Sequence, residues 1–234
     1  MPIYRLTPQL IFPPVDHAED GVLAVGGDLR PERLLLAYKS GIFPWYHDGL
    51  PIIWHSPDPR CVLRTEALHV SKSMRKFLKK HPFEVRVDTA FSAVIQGCRD
   101  AFRPGQDGTW ITDGMMEAYN TLHAQGLAHS VECWGGGELV GGLYGVSLGR
   151  MFFGESMFSK APNASKTALV GLVELLVPWG FQLVDCQVAN DHTVSLGAEE
   201  WPRKKYLKAL NEEMDAAPTR VGPWKVEPFY PGDA

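Results

Sequence analysis

The chain has 234 residues, 45% of them hydrophobic, and a formal net charge of −4 at pH 7. That length and apolar content bury a full core as one large domain or two small ones, and no apolar run approaches the ~20 residues of a membrane span. A mildly acidic chain excludes binding of nucleic acid through overall charge, so such a partner requires a local basic patch. The start, Met1-Pro2-Ile3-Tyr4-Arg5, lacks the charged-then-apolar pattern of a signal peptide, and Cys61, Cys98, Cys133 and Cys186 form no C-x-x-C pair. A cytoplasmic protein with reduced thiols is expected. The eight histidines include no H-E-x-x-H and no Cys/His cluster at zinc spacing, so neither a metal nor a cofactor is expected.

In chain order, the first helix is expected at 31–40, entered through Asp28 and Pro31. The stretch 43–60, rich in proline and carrying Trp45 and Trp54, cannot be a regular helix. Its apolar content makes it a packed segment ending a small N-terminal domain, 1–60, docked on a larger one, 61–234. At 70–80, Val70, Met74, Phe77 and Leu78 recur at helical spacing, while Lys72, Arg75, Lys76, Lys79 and Lys80 fall on the opposite face. Solvated faces usually mix signs; this run of basic residues without an interspersed acid reads as a phosphate-binding surface. A second basic cluster, Arg203, Lys204, Lys205 and Lys208, follows Glu199 and Glu200 and is the weaker signal.

Further helices are expected at 90–100, 114–125, 165–177, 193–196 and 203–213, and strands at 83–87, 129–134, 139–147, 150–155 and 182–187. Gly135-Gly136-Gly137 and Gly149 supply hairpin turns between three consecutive strands, and a helix then returns the chain to a further strand. This order predicts an α+β fold with an antiparallel-centred sheet of the GNAT-like (acyl-CoA N-acyltransferase-like) type. Transfer of an acyl group from another donor, such as acetyl-CoA, is therefore a rival function. Its pyrophosphate-binding loop would need glycines, yet Ser159-Lys160-Ala161-Pro162-Asn163-Ala164-Ser165 has none.

Glu155 and Asp185 stand at the ends of two apolar strands, where a carboxylate is costly to bury unless it is paired or has a task. Each could simply cap the helix that follows. Two at equivalent positions, with Gln187 beside one of them, point to a site. The segments around them, Gly154-Glu155-Ser156-Met157-Phe158-Ser159, Asn163-Ala164-Ser165-Lys166 and Asp185-Cys186-Gln187-Val188, resemble the leucyl/phenylalanyl-tRNA–protein transferase family. So do Gly26-Gly27-Asp28-Leu29, Gly41-Ile42-Phe43-Pro44-Trp45, Trp54-His55-Ser56-Pro57-Asp58-Pro59-Arg60 and Gly108-Thr109-Trp110-Ile111-Thr112. The resemblance runs in register from about residue 20 to residue 207. It implies transfer of Leu, Phe or Met from aminoacyl-tRNA to proteins with N-terminal Arg or Lys, whose products enter N-degron proteolysis. A non-enzymatic RNA-binding module would explain the basic helix but neither carboxylate.

An aminoacyl-tRNA ester is already activated, so the enzyme has only to position it, hold the amine, remove a proton and stabilise the oxyanion. Asp185 is the expected proton acceptor. In an extended strand Asp185 and Gln187 share a face and Cys186 points away, so Gln187 can donate to Asp185 and accept from the incoming ammonium. The resemblance implies the same catalytic pair, acting as a base or only orienting the amine. Glu155 is expected to meet the cationic amino groups. Trp45 and Trp110 would wall the cavity or stack on the terminal adenine, and Leu143, Met157, Leu172, Leu176 and Val184 are further lining candidates, with core packing the plain alternative for each. Well-known members of the family carry phenylalanines where this chain has Leu172 and Leu176. Asn163 or Ser165 is expected to cap the helix that begins there, with Lys166 in its first turn available to a phosphate.

Overall fold

The computed structural model describes residues 3–101 and 109–232. Four short strands, β1 (Tyr4–Leu6), β2 (Val22–Gly26), β3 (Phe43–Pro44) and β4 (Ile53–His55), form a sheet in the order β1-β2-β4-β3. Helix α1 (Pro31–Lys39) starts on a proline, whose missing N–H costs nothing in the first turn. Arg30, not Asp28, holds its N-cap position; Asp28 instead accepts from the Arg30 backbone N–H at 3.1 Å and pairs with the buried Arg33 at 3.2 Å.

The larger sheet holds β5 (Arg60–Arg64), β6 (Glu84–Val87), β7 (Ala128–Gly135), β8 (Glu138–Leu148), β9 (Met151–Ser159), β10 (Leu183–Gln187) and β11 (Glu199–Trp201), in the order β11-β5-β10-β9-β8-β7-β6. Among the described residues its one parallel pairing is β9 with β10; the other neighbours are antiparallel. This is the expected mixed α+β class. The sheet is covered on both faces. Tyr144, Val146 and Phe153 point to one core with α3 (Phe91–Asp100) and α4 (Asp113–Ala124). Their neighbours Leu143 and Phe152 point to a second core with α5 (Ala164–Leu176), as the period of two requires. Helix α5 is apolar on nearly every side and correspondingly buried. The first core also takes in Leu23, Leu34 and Trp54, so the small sheet shares it.

The basic segment forms α2 (Lys72–Leu78), capped by Ser71, which accepts from the Met74 N–H at 3.2 Å. It buries Met74 and Leu78 against Val170 of α5. At the start of α5 the expected caps do not act: Asn163 occupies the N-cap in a left-handed conformation without a side-chain bond. The Ser159 hydroxyl takes that role, accepting from the Ser165 N–H at 2.8 Å. The remaining helices are α6 (Asp191–Ser195) and α7 (Arg203–Ala216). Strands β1 to β5 and β11 fall outside the expected set. They have two to five residues each; those of two or three are too brief for a period-two pattern, and β5, Arg60-Cys61-Val62-Leu63-Arg64, does not alternate.

After α7 the chain returns across the large sheet. Trp224 is buried, stacks on His129 with ring centroids 3.9 Å apart, and donates its backbone N–H to Asp88 at 2.8 Å. Phe229 bridges to Val85 of β6. Trp224→Ala would empty the centre of an aromatic group that includes Phe152, Trp179 and Phe181. It is expected to cost ~3–5 kcal/mol of stability, measured by urea unfolding. A loss below about 1 kcal/mol would show that the returning segment is not an integral part of the core.

Candidate active site

The ladder between β8 and β9 slips at one place. Gly145 pairs with Gly154 and Tyr144 with Ser156, which leaves Glu155 as the extra residue of a β-bulge. Glu155 thus sits within a strand, not at its end as expected. The bulge needs Gly145, because a Cβ there would lie 2.2 Å from the Phe153 carbonyl oxygen. Pairing of β9 with β10 runs from Leu183 to Asp185, and at the end of this parallel pair lies a cavity of about 350 Å³. Glu155 and Gln187 reach it among apolar side chains from β3, β8, β9, β10 and α5.

Glu155 is 8% exposed. Its Oε1 accepts from the Tyr38 hydroxyl at 2.8 Å and the Gln187 amide at 2.8 Å, and its Oε2 accepts from the Tyr119 hydroxyl at 2.9 Å. The Tyr38 and Tyr119 hydroxyl oxygens also lie within hydrogen-bonding reach of each other. Burial pushes the Glu155 carboxyl up, the two tyrosine bonds pull it down, nearby Asp185 pushes up again and Arg60 pulls down; it settles at about 7. Burial and the adjacent carboxylate hold both phenols well above their ordinary range.

Asp185 is in the opposite situation. It is 0% exposed, and Arg60 grips it with two bonds, Nε to Oδ1 at 2.8 Å and Nη2 to Oδ2 at 2.6 Å. The Tyr206 hydroxyl donates to Oδ2 at 2.8 Å and the Gln187 backbone N–H to Oδ1 at 2.9 Å. Arg60 donates its remaining Nη1 to the Gly41 carbonyl at 3.0 Å and lies between the Phe43 and Tyr206 rings, 4.7 Å from each. Burial works against the guanidinium charge, but Asp185 and Tyr206 outweigh it and hold Arg60 above its usual range. A carboxylate has about four acceptor positions, and all of those on Asp185 are taken.

The expected proton acceptor therefore does not face the cavity. Asp185 bonds to the backbone of Gln187, and the Gln187 side chain bonds to Glu155 instead. The assumption that fails is extended geometry. Gln187 has φ of +62° and β10 is irregular between Asp185 and Gln187, so the period-two argument stops there. For the same reason Cys186, expected to point away, lines the cavity. Its thiol is pushed up by its bond with Cys61 and by burial.

Of the other expected residues, Trp45, Trp110, Leu143, Met157, Leu172 and Val184 line the cavity. Leu176 does not; it is fully buried in the core one turn further along α5, and the wall residue beside Leu172 is Leu169. Lys72, Arg75 and Lys76 of α2, and Lys79 and Lys80 just past its end, are all exposed; α2 packs against the same α5 whose Leu169 and Leu172 line the cavity. Lys166 lies close enough to the cavity-lining His192 to oppose its protonation, after burial. Gly108 of the expected 108–112 motif lies outside the described residues. Sequence reasoning gave no role to Arg60, Tyr38, Tyr119 or Leu169. For Arg60 a signal exists: an arginine directly before Cys61-Val62-Leu63 is a charge entering an apolar strand.

The sequence model of the leucyl/phenylalanyl-tRNA protein transferase family matches residues 62–211, and that of the family's N-terminal domain matches residues 27–58. A leucyl/phenylalanyl-tRNA–protein transferase of Myxococcus xanthus is 60% identical over 227 residues, covering 96% of this chain and 97% of that protein. Its counterpart in Syntrophobacter fumaroxidans is 57% identical, covering 92% of each. Among solved structures, L-PGS from Bacillus licheniformis aligns with a TM-score of 0.41 at 10% identity, over 72% of this chain and 54% of that one, a likeness too slight to argue from.

Removing one partner of a buried ion pair strands the other charge. Asp185→Asn is accordingly expected to destabilise the protein by ~3–5 kcal/mol, seen as a lower urea midpoint; an unchanged midpoint would contradict the pairing. Glu155 makes stability depend on pH. Its folded value of about 7 lies above the ordinary 4.5, so the stability linked to the protonated carboxyl is present below pH 4.5 and is lost as pH rises through 7. Against Glu155→Gln, the wild type should lose up to about 3 kcal/mol between pH 5 and pH 8. Thermal unfolding of both across that range checks this, and parallel curves would refute it.

Proposed function

Because the chain belongs to the leucyl/phenylalanyl-tRNA protein transferase family, and is an aminoacyltransferase of that type, we propose that it moves leucine, phenylalanine or methionine from charged tRNA to the N-terminal amine of proteins beginning with Arg or Lys. The observation that carries this reading is the cavity: mostly apolar walls with room for such a side chain, and a single carboxylate, Glu155, among the lining residues. The apolar walls take a leucyl, phenylalanyl or methionyl side chain and exclude a charged one, which would leave water without partners. Glu155 meets the cationic amines of donor and acceptor. Trp45, 37% exposed on the cavity wall, offers a stacking face for the terminal base, as does Trp110.

Asp185 and Gln187 act as one unit. Asp185, locked by Arg60, accepts from the Gln187 backbone and holds that residue in its left-handed turn, a conformation that costs a side-chain-bearing residue about 1–2 kcal/mol. The reward is an amide presented to the cavity in fixed orientation, able to align the attacking amine. The exposed basic face of α2, with Lys72, Arg75, Lys76, Lys79 and Lys80, meets the tRNA phosphates. A division near residue 60 separates a small N-terminal domain from the catalytic one. The free thiols suit a cytoplasmic setting, and the product would be marked by its new N-terminal residue for N-degron proteolysis.

One assay tests the reading. Labelled Leu-tRNA or labelled acetyl-CoA is incubated with the protein and an Arg-initiated peptide, and label is expected to reach the peptide from the tRNA alone. Replacing Lys72, Arg75, Lys76 and Lys79 together with Ala should weaken tRNA binding and flatten the slope of log K against log salt by about 0.7–0.9 per lost phosphate contact. Transfer from acetyl-CoA would overturn the activity, and an unaltered slope would return α2 to an ordinary solvated face.

A further inference from the structure

We propose that Glu155, closed into a ring with Tyr38 and Tyr119, is the group that takes the proton from the attacking amine. This rests on the aminoacyl transfer proposed above and assigns its proton acceptor. The ring is one proton short. Three oxygen–oxygen contacts close the ring: Tyr38 with Glu155 Oε1, Tyr119 with Glu155 Oε2, and Tyr38 with Tyr119. Each needs one proton to be a hydrogen bond, and two phenols bring only two. While the carboxylate is ionised both phenols donate to it, and the contact between the tyrosines has no proton. Once Oε2 is protonated, Tyr119 no longer has to donate to it and turns its O–H onto Tyr38, which still donates to Oε1. The arrangement gains its third proton by accepting one. Neither phenol supplies it, since burial and the neighbouring carboxylate keep both protonated.

Access and competition favour the same group. Glu155 lines the cavity, and its Oε2 accepts one bond where Oε1 accepts two, which leaves a position for an ammonium. The groups that bear on it are Tyr38 from α1, Tyr119 from α4, Asp185 from β10 and Arg60 from β5, with Tyr144 of β8 beside the two phenols. Asp185 has no acceptor position left. The Cys186 thiol stays protonated through its bond with Cys61 and through burial. Its burial-dominated value of about 7 lets Glu155 exist as a base near neutrality and still hold a proton once it has one.

The step balances. An acceptor ammonium gives one proton to Glu155, and the freed amine forms its C–N bond at the ester carbonyl carbon while the carbonyl electron pair moves to oxygen. The tetrahedral species collapses, the bond to the ribose oxygen breaks, and that oxygen leaves with a second proton from the nitrogen. The amide keeps the third, and Glu155 returns its proton to water. An α-amine with a pKa of about 8 is about nine-tenths protonated at pH 7, so most acceptors need the first transfer before they can attack.

The test separates proton removal from binding and from structure. Single-turnover transfer from Leu-tRNA is followed for wild type and Glu155→Gln with two acceptors: an Arg-initiated peptide, and the same peptide carrying a terminal aminooxy group, which is already unprotonated at neutral pH. At pH 7 the variant is expected to lose about tenfold with the first acceptor, shrinking above pH 8, and less than about twofold with the second. The wild-type rate with the amine should fall as pH drops through 7. In the variant that limb should move to the amine's own value of about 8. Tyr119→Phe removes a charge-assisted donor to the carboxylate, so its limb should shift upward without vanishing. Equal losses with both acceptors, or a limb unmoved by Glu155→Gln, would overturn the assignment and leave His192 as the cavity-lining candidate. Absence of any transfer by the wild type would instead defeat the aminoacyl-transfer reading.

Discussion

Two opposite charges with no access to water, Arg60 and Asp185, are the constraint around which this site is arranged. Ionised groups leave water only at high cost, and an ion pair repays that cost only when every donor and acceptor finds a partner. Here the partners come from separate parts of the chain. Gly41 and Phe43 follow α1 in the N-terminal sheet, Tyr206 comes from α7, and Gln187 supplies a backbone N–H. Satisfying one guanidinium and one carboxylate therefore fixes how β5, β10, α7 and the small sheet meet. The backbone turn at Gln187 is a result of the same accounting, since its N–H fills the last acceptor position on Asp185.

The two carboxylates near the cavity are thereby driven apart in character. Asp185 has a fixed positive partner and no vacancy. Glu155 has only neutral donors within bonding distance, two phenols and an amide, and burial dominates it. Environments that separate two acids in this way suit them to different tasks: Asp185 to holding geometry, and Glu155 to the proton exchange proposed above. The bulge makes the division possible. It inserts Glu155 as an additional residue in β9, so a polar side chain enters the cavity while Phe152 and Phe153 still serve the cores on either face.

The long elements were legible from the residues because their patterns are local. The strands at 129–134 and 139–147, the glycine turn between them, and the largely apolar helix at 165–177 follow from pattern and length alone. So does the split of α2 into a buried Met74–Leu78 side and a basic exterior. Glu155 and Gln187 stood out as polar groups in apolar surroundings, and they do meet at the cavity. What escaped was set by tertiary contact. Strand β5 starts where the proline-rich stretch 43–60 ends and does not alternate, and with it went Arg60, without which Asp185 reads as an available base. Tyr38 and Tyr119 are 81 residues apart, and nothing local marks either one. The left-handed turn at Gln187 reverses a period-two inference at the position where it mattered most.

The segment that returns across the large sheet bears on how the protein is made. Gly222 donates its N–H to Gly126, Trp224 to Asp88, and Phe229 exchanges backbone bonds with Val85, so residues 222–229 complete surfaces laid down 96 to 144 positions earlier. A ribosome releases those surfaces long before it releases the segment that covers them. Throughout that interval the rings of His129, Phe152 and Phe181 lack the indole that later packs between them. Contacts of such wide sequence separation form late and slow the chain, and open apolar faces are where nascent proteins associate wrongly or recruit chaperones. Synthesis, more than the finished fold, is the stage at which this enzyme is most exposed.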